Sequence, residues 1–253
     1  MDPTIILFAV FLFLMLMNVP IALCLGVSSI VGIIVMGVPL SVVPMQVYAG
    51  IGKATLLAIP FFILAGVIMD RSGISKRLIN LADALVGHKT GGLAIVCVIV
   101  SCFFAAISGS GPATVAALGA VMIPAMIEAG YGTENSAALM SASGSIGIII
   151  PPSIPFVVYS GISGVSVSRI FMAGIVPGIL MGVALAVAAL IILKKNHQKV
   201  VQQKKASGAE RWAAFKDALW GLLMPVIILG GIYGGFFTPT EAAAVAAVYG
   251  LIV

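Results

Sequence analysis

Charge is what this chain has least of. Only 8% of its 253 residues are Asp, Glu, Lys or Arg, where a soluble domain carries about a quarter. Too little polar surface remains to cover a water-facing globule. Residues 3–52, 90–127, 135–168 and 170–193 hold no charge at all. No Asp or Glu lies between Asp83 and Glu128. Histidine is nearly absent too, with only His88 and His197. The three cysteines, Cys24, Cys97 and Cys102, sit inside apolar runs. Their spacing suits neither a metal site nor a disulfide framework, so they are small buried hydrophobes. There is no phosphate-binding lysine loop and no dinucleotide fingerprint. No basic stretch precedes the first apolar run, whose only early charge is Asp2. That argues against a cleavable signal peptide.

What is present is apolar length. Hydrophobic residues make up 61% of the chain, and mean hydropathy is +1.23. A membrane-crossing helix needs about 20 mostly apolar residues, so the uncharged runs predict an all-α integral membrane protein in a lipid bilayer. Thirteen Lys and Arg against eight Asp and Glu give a formal charge of +5. Lys194, Lys195, Lys199, Lys204, Lys205, Arg211 and Lys216 fall in one segment, 194–216, without aromatic interleaving before Trp212. That pattern fits a solvated loop obeying the positive-inside rule rather than a nucleic-acid surface. It places 194–216 in the cytoplasm. A second basic group, Arg71, Lys76, Arg77 and Lys89, flanks an amphipathic stretch over 74–87. Its apolar face of Ile74, Leu78, Leu81, Ala82 and Leu85 predicts a helix at a membrane surface.

Along the chain, Asn18-Val19-Pro20 interrupts the first apolar run, giving two helices or one kinked helix. Residues 38–53, with Pro39, Pro44 and Gly50, read as a loop or interfacial piece. A short span with Pro60 inside it follows at 55–69. Residues 91–107 and 113–127 are apolar arms around Ser108-Gly109-Ser110-Gly111-Pro112. Each arm is short for a full crossing, so the pair predicts a hairpin with its tip inside the protein. Residues 135–150 form a helix broken at Pro151-Pro152-Ser153-Ile154-Pro155 and continued by 156–162. Clean spans follow at 170–193 and 218–237. At Thr238-Pro239-Thr240-Glu241, a capping hydroxyl, an early proline and an acid at the positive helix end open another helix. The chain stops inside that apolar segment, which predicts an N-terminal portion of something longer.

The two breaks carry the functional reading. Irregular backbone at membrane depth survives only where protein or a wet cavity surrounds it, and paired broken helices point to a transport site. Ser110 is the expected N-cap of the second hairpin arm, with Pro112 in its first turn. Free N–H groups and the Ser108, Ser110 and Thr114 hydroxyls suit a carboxylate or a cation's oxygen shell. Proline has no N–H for the carbonyl four residues back. Pro151 and Pro152 are therefore expected to free the Gly147 and Ile148 carbonyls, and Pro155 that of Pro151. Oxygens at a negative helix end stabilise a cation such as sodium without any carboxylate. The alternatives are tight small-residue helix packing, kinks without function, and an intramembrane serine protease at Gly109-Ser110-Gly111. A protease needs a base within reach of its serine, and both histidines flank membrane spans beside lysines.

At these residues the sequence resembles the large membrane subunit of TRAP transporters, the tripartite ATP-independent periplasmic transporters. The segment Phe104–Ala117 resembles the family's hairpin signature. Four further segments match, at 58–66, 147–154, 171–178 and 238–244. The resemblance implies an elevator fold of the ion-transporter superfamily, with a re-entrant hairpin, a broken helix, one inverted repeat and the start of a second. The divisions it implies are scaffold helices over 1–60, a connecting span and surface helix over 61–90, and a transport-domain half over 91–168. That half holds the hairpin, 91–128, and the broken helix, 134–162. Scaffold helices with the basic loop follow over 169–237, and the second repeat opens over 238–253. The resemblance also implies residence in the bacterial inner membrane, no enzymatic activity, and sodium-driven uptake of an organic acid anion such as a C4-dicarboxylate or sialic acid. The implied partners are a periplasmic substrate-binding protein and a small four-helix membrane subunit. Carried over by residue, a sodium site falls on Ser108, Gly147, Ile150 and Pro152. Ile150 rests on the resemblance alone. Ser110, Thr114 and Ser153 are the candidates for the substrate side. Large subunits of this family are usually much longer, with a second hairpin and a second broken helix. A related carboxylate carrier that works without a binding protein is the alternative.

The orientation is testable by labelling. A cysteine at Ser207 should react with a membrane-impermeant thiol reagent in inverted membrane vesicles and not in intact spheroplasts. The reverse pattern contradicts a cytoplasmic 194–216.

Overall fold

The computed structural model describes residues 2–195, 200 and 204–253. Every regular element among them is helical. Four helices are long and apolar enough to cross a membrane: Ala54–Arg71, Gly111–Glu128, Val167–Lys195 and Gly208–Tyr233. The chain divides into two compact units, Met1–Lys53 and Ala54–Val253.

The first unit holds α1 (Pro3–Leu16), α2 (Ile21–Val35) and α3 (Val42–Ile51). Asp2 caps α1 by accepting from the Thr4 N–H at 2.9 Å. The break at Asn18, in the left-handed region at φ 59°, makes two helices rather than a kink. Cys24, Ser28 and Gly32 form the buried face of α2, and a Cβ on Gly32 would meet Leu7 Cδ1 at 3.1 Å. Residues 38–53, expected as a loop or interfacial piece, are helical over Val42–Ile51. Pro44 lies in the first turn of α3, where a missing N–H removes no helical bond.

The second unit begins with a 3₁₀ turn, Ala54–Leu57, leading into α4 (Ala58–Arg71). Pro60 falls in the first turn of α4 and does not break it. Next come α5 (Ile74–Ala82) and a π-helical turn, Asp83–Gly87. Ile74, Leu78, Leu81 and Ala82 are buried, and a Cβ on Gly221 would meet Ile74 Cγ2 at 2.5 Å. The amphipathic face predicted for the membrane surface is thus largely covered by protein, with Leu85 its exposed exception.

The hairpin is α6 (Gly92–Ser108) and α7 (Gly111–Glu128). The broken helix is α8 (Thr133–Gly144), a 3₁₀ turn Ser145–Ile148, an irregular break, and α9 (Ile154–Ser163). α10 (Val167–Lys195) packs along α6, α8 and α9. The helix expected among the scaffold elements therefore lies against the hairpin and the broken helix. α11 (Gly208–Tyr233) packs on α5, and α12 (Pro239–Ile252) packs on α4 and α11.

Two capping boxes start the last helices. Ser207 accepts from the Glu210 N–H at 3.2 Å, and Glu210 accepts from the Ser207 N–H at 2.6 Å. The end of the predicted loop 194–216 is therefore helix from Gly208 onward, and part of that loop, with His197, lies outside the described residues. Thr238 and Glu241 repeat the box. Thr240 does not cap; its hydroxyl donates to the Ala54 carbonyl at 3.1 Å.

One end of this unit collects the basic groups. Arg77 pairs with Asp217 at 3.7 Å, and Arg211 Nε donates to the Ala84 carbonyl at 3.2 Å. His88 sits here, its Nδ1 shielded from solvent with no partner among the described residues. Desolvation first, then Arg211, Lys205 and Lys89, hold its pKa below the usual 6.5. It is neutral at pH 7. The unfolded chain protonates His88 first as pH falls below 6.5, so the folded state loses stability in that window. Thermal unfolding of His88→Gln should show a shallower loss as pH falls below the usual 6.5; an unchanged acid limb contradicts this.

Candidate functional site

Two serines organise the centre, by the same local chemistry. Ser110-Gly111-Pro112 and Ser153-Ile154-Pro155 each place a capping serine two residues before a proline. Ser110 is extended, at φ −135° and ψ 121°, and accepts from the Ala113 N–H at 3.4 Å. Ser153, at φ −126° and ψ 124°, accepts from the Phe156 N–H at 3.4 Å. Both prolines fall in a first turn, where no N–H is needed. These caps start α7 and α9, while α6 stops at Ser108 and the 3₁₀ turn after α8 stops at Ile148.

The two breaks meet. Ile154 N–H donates to the Gly109 carbonyl at 3.0 Å, bonding the start of α9 to the hairpin tip. Glycines allow the approach. A Cβ on Gly147 would lie 3.0 Å from Thr114 Oγ1 and 3.1 Å from the Gly111 nitrogen. One on Gly111 would lie 2.9 Å from the Gly144 carbonyl oxygen, and one on Gly144 would overlap Val115 Cγ2. Gly109, at φ 61°, closes the turn after α6 with its N–H on the Ala105 carbonyl at 3.0 Å. A Cβ there would sit 2.7 Å from the Pro152 carbonyl oxygen. From the other flank, a Cβ on Gly66 of α4 would lie 3.2 Å from Ser108 Cα.

The hydroxyls are concentrated at the tip. Ser108 Oγ and Thr114 Oγ1 are 3.2 Å apart and buried. Thr114 Oγ1 donates to the Ser110 carbonyl at 2.8 Å. Ser108 Oγ also accepts, at 3.4 Å, from the Ser110 N–H. The negative ends of α6 and of the turn after α8 thus meet the positive ends of α7 and α9. Each such end carries roughly half an elementary charge.

Ser108, Gly147 and Pro152 converge here, together with Ser110 and Thr114. Ile150 belongs by chain continuity: its N–H donates to the Ile146 carbonyl at 2.9 Å, and its side chain packs towards α10. The expected set of free carbonyls needs one correction. Ser153 Oγ donates to the Ile148 carbonyl at 2.7 Å, so that oxygen is not released; the capping serine reaches back across the break to take it. The Gly147 carbonyl accepts no hydrogen bond among the described residues. Ser153 is fully buried and bonded in both directions, and Thr114 faces Gly147 from inside the junction. Ser110 is half-buried and, with Ser108, opens onto a crevice of about 420 Å³ that also borders Gly66, Asp70, Phe104 and Ile154.

Among the described residues, no histidine stands beside the Ser110 hydroxyl. His88 precedes α6 and Ser110 follows it, with about 25 Å of helix between them at 1.5 Å per residue. Among the described residues, no cluster of His, Cys, Asp and Glu could hold a metal ion.

Sequence reasoning did not anticipate the Ile154–Gly109 bond, the Ser153–Ile148 bond or the support from Gly66. Serine before proline marked Ser110 as a cap; Ser153, expected on the substrate side, was not anticipated as one, nor was the contact between the two breaks.

Comparison with known proteins places these features in context. The family described as "Tripartite ATP-independent periplasmic transporter, DctM component" matches residues 8–253. The isethionate TRAP transporter permease protein DctMQ of Oleidesulfovibrio alaskensis is 47% identical over 253 residues, covering all of this chain and 40% of that protein. The C4-dicarboxylate TRAP transporter large permease protein DctM of Vibrio cholerae is 48% identical over 251 residues, 98% of this chain and 55% of that protein. The 2,3-diketo-L-gulonate TRAP transporter large permease protein YiaN of Escherichia coli is 46% identical over 204 residues, 81% of this chain and 48% of that protein. The chain spans about half the length of the curated relatives it matches. These relatives are transporter permease components, not enzymes.

The close approach at the tip sets a stability prediction. Gly109→Ala combines a left-handed φ, about 1–2 kcal/mol for an L-residue, with overlap on the Pro152 carbonyl. Gly73 has φ +78° with nothing within 4 Å of its Cβ position, so Gly73→Ala carries the backbone cost alone. Thermal unfolding in detergent should show Gly109→Ala as the more destabilised variant. Equal losses contradict the contact.

Proposed function

Because the chain belongs to the DctM component family of tripartite ATP-independent periplasmic transporters, we propose that it forms part of a sodium-coupled carrier for an organic acid anion. The anion is of the C4-dicarboxylate or a related class, with sialic acid among those to be tested. The observation that carries this reading is the meeting of four helix ends, none of which brings an ionisable side chain to the junction.

Sodium sits on the negative side of that junction. Its ligands are the Ser108 hydroxyl and the carbonyls of Gly147, Ile150 and Pro152. The acid binds beside it, towards the positive ends of α7 and α9, where Ser110 faces the crevice. An ion and a carboxylate a few ångströms apart at low dielectric stabilise each other by several kcal/mol. Each therefore raises the other's affinity by the same factor, which is the coupling a symporter needs. Peptide dipoles suit this task because they are fixed and carry no net charge. When both ligands leave, no buried ionised side chain remains to be neutralised for the return step.

The hairpin and broken helix then travel as one body, in an elevator movement, against scaffold helices. A periplasmic substrate-binding protein delivers the acid, and a small four-helix membrane subunit completes the scaffold. The protein resides in the bacterial inner membrane with its basic end in the cytoplasm. A carrier that dispenses with a binding protein is the second reading; family membership favours the tripartite one.

Uptake of a panel of labelled organic acids into proteoliposomes bearing the assembled transporter tests this. An inward sodium gradient should drive accumulation that an equal potassium gradient does not, and only with the binding protein present. Ser108→Ala should lower uptake at sub-saturating sodium by tenfold or more, since a lost ligand of about 1.4 kcal/mol is tenfold in affinity; Gly147→Val keeps its carbonyl but forces it away from the tip, against Thr114 and Gly111, and should lower uptake as well. Undiminished uptake in potassium would sink the reading.

A further inference from the structure

Within the segment Phe171–Gly178, Gly174 and Gly178 of α10 make contacts that the ion site leaves unexplained. A Cβ on Gly174 would lie 2.5 Å from the Ile149 carbonyl oxygen and 2.6 Å from Phe156 Cε2. One on Gly178 would lie 2.5 Å from Ile150 Cγ1 and 3.5 Å from Ile150 Cα. Both glycines are buried. Gly182, one turn further along the same face, contacts other groups. Its Cβ position is 3.1 Å from Cys102 Sγ and 3.7 Å from Val98 Cγ1, both on α6, and meets Ile146 Cδ1 only at an ordinary 3.9 Å, without pressing on the backbone of the break.

The segment these glycines press on has little hydrogen bonding of its own. Ile149 and Ile150 N–H both bond back to the one Ile146 carbonyl, at 3.0 and 2.9 Å, and Ile154 N–H bonds forward to the Gly109 carbonyl. Pro151 and Pro152 between them have no N–H to give. The position of this backbone is therefore set by what packs on either side. The hairpin tip holds one side, where Gly109 meets Pro152 and where Gly147 of the broken helix meets Gly111 and Thr114. α10 holds the other, at a separation that only glycine allows.

We infer that Gly174 and Gly178 are positioning residues of the cation site, resting on the sodium reading above. They fix how deep the peptides at Ile149 and Ile150 sit, and so the direction in which the neighbouring carbonyls point. A carbonyl turned away from its ion weakens binding without changing a ligand's identity. The effect belongs in sodium affinity rather than in maximal rate.

The test uses the assembled transporter in proteoliposomes, with a sodium-induced thermal shift in detergent as a second readout. Gly178→Ala should raise the half-saturating sodium concentration at least fivefold, leaving the maximal rate at saturating sodium within twofold of wild type. The thermal shift should move to higher sodium by the same factor. Gly182→Ala should move neither by more than twofold. In an Ile150→Ala background, which deletes Cγ1, adding Gly178→Ala should change half-saturation by less than twofold. The nearest atom to the new Cβ is then Ile150 Cα, at an ordinary 3.5 Å.

A folded Gly178→Ala protein with unshifted sodium dependence would overturn the inference while leaving the sodium reading intact. An equal shift in Gly182→Ala would overturn it as well. So would failure to fold in both the single and the double variant, because relieving the overlap should restore packing. A wild-type protein indifferent to sodium in both readouts removes the sodium reading and this inference with it.

Discussion

The bond from the Ile154 N–H to the Gly109 carbonyl, 3.0 Å long, joins two interruptions that a bilayer could not tolerate singly. Hydrocarbon supplies no hydrogen bonds, so peptide groups left over by a broken helix must find partners in protein or water. Here each break supplies the other. The hairpin tip ends on a glycine whose carbonyl is open, and the second half of the broken helix starts with an N–H to give. Once that bond forms, Ser108, Thr114, Gly147 and Pro152 are neighbours. The surrounding glycines, at 66, 109, 111, 144 and 147, follow from the same requirement, because backbone can reach backbone only where side chains are missing.

Function follows from what is left unpaired. The Ser153 hydroxyl takes the Ile148 carbonyl and the cap of α9 together, leaving the Gly147 carbonyl beside the tip. Partial charges of both signs are then available within one small volume, with no Asp, Glu, Lys, Arg or His from Gly92 to Ile127 or from Asn135 to Ser163. On the proposed reading, such a site binds a cation and an anion together more readily than either alone, and that asymmetry is what couples their transport. Low charge content, the first property visible in the chain, then belongs to the proposed mechanism as well as to the lipid.

Much of this was legible in the sequence, for identifiable reasons. Proline and serine act locally, so Ser110 before Pro112 marked the cap of α7, Pro151, Pro152 and Pro155 marked the second break, and the long uncharged runs marked the spans. Thr238 with Glu241 announced its helix in the same way. What stayed hidden was tertiary. A sequence does not say that Ser153 will reach five residues back, or that the face of α5 will be covered by α11 rather than by lipid. Ser207 and Glu210 carried the same capping signal as Thr238 and Glu241, but the polar run around them reads as loop by composition. Residues 42–51 were obscured by Pro44, which disrupts a helix interior and not a first turn. The close fit of α10 to the break was the least legible feature, since a glycine in a long apolar helix gives no sign of its partner.

The central claim is that bare peptide dipoles and hydroxyls at this junction hold the coupling ion. The most direct measurement is a pair of high-resolution structures of the assembled transporter, one in sodium and one with sodium replaced by choline. The account predicts compact density bounded by the Ser108 hydroxyl and the Gly147 and Pro152 carbonyls in sodium, and its loss in choline. An empty junction in saturating sodium, in a preparation whose uptake remains sodium-driven, would contradict it.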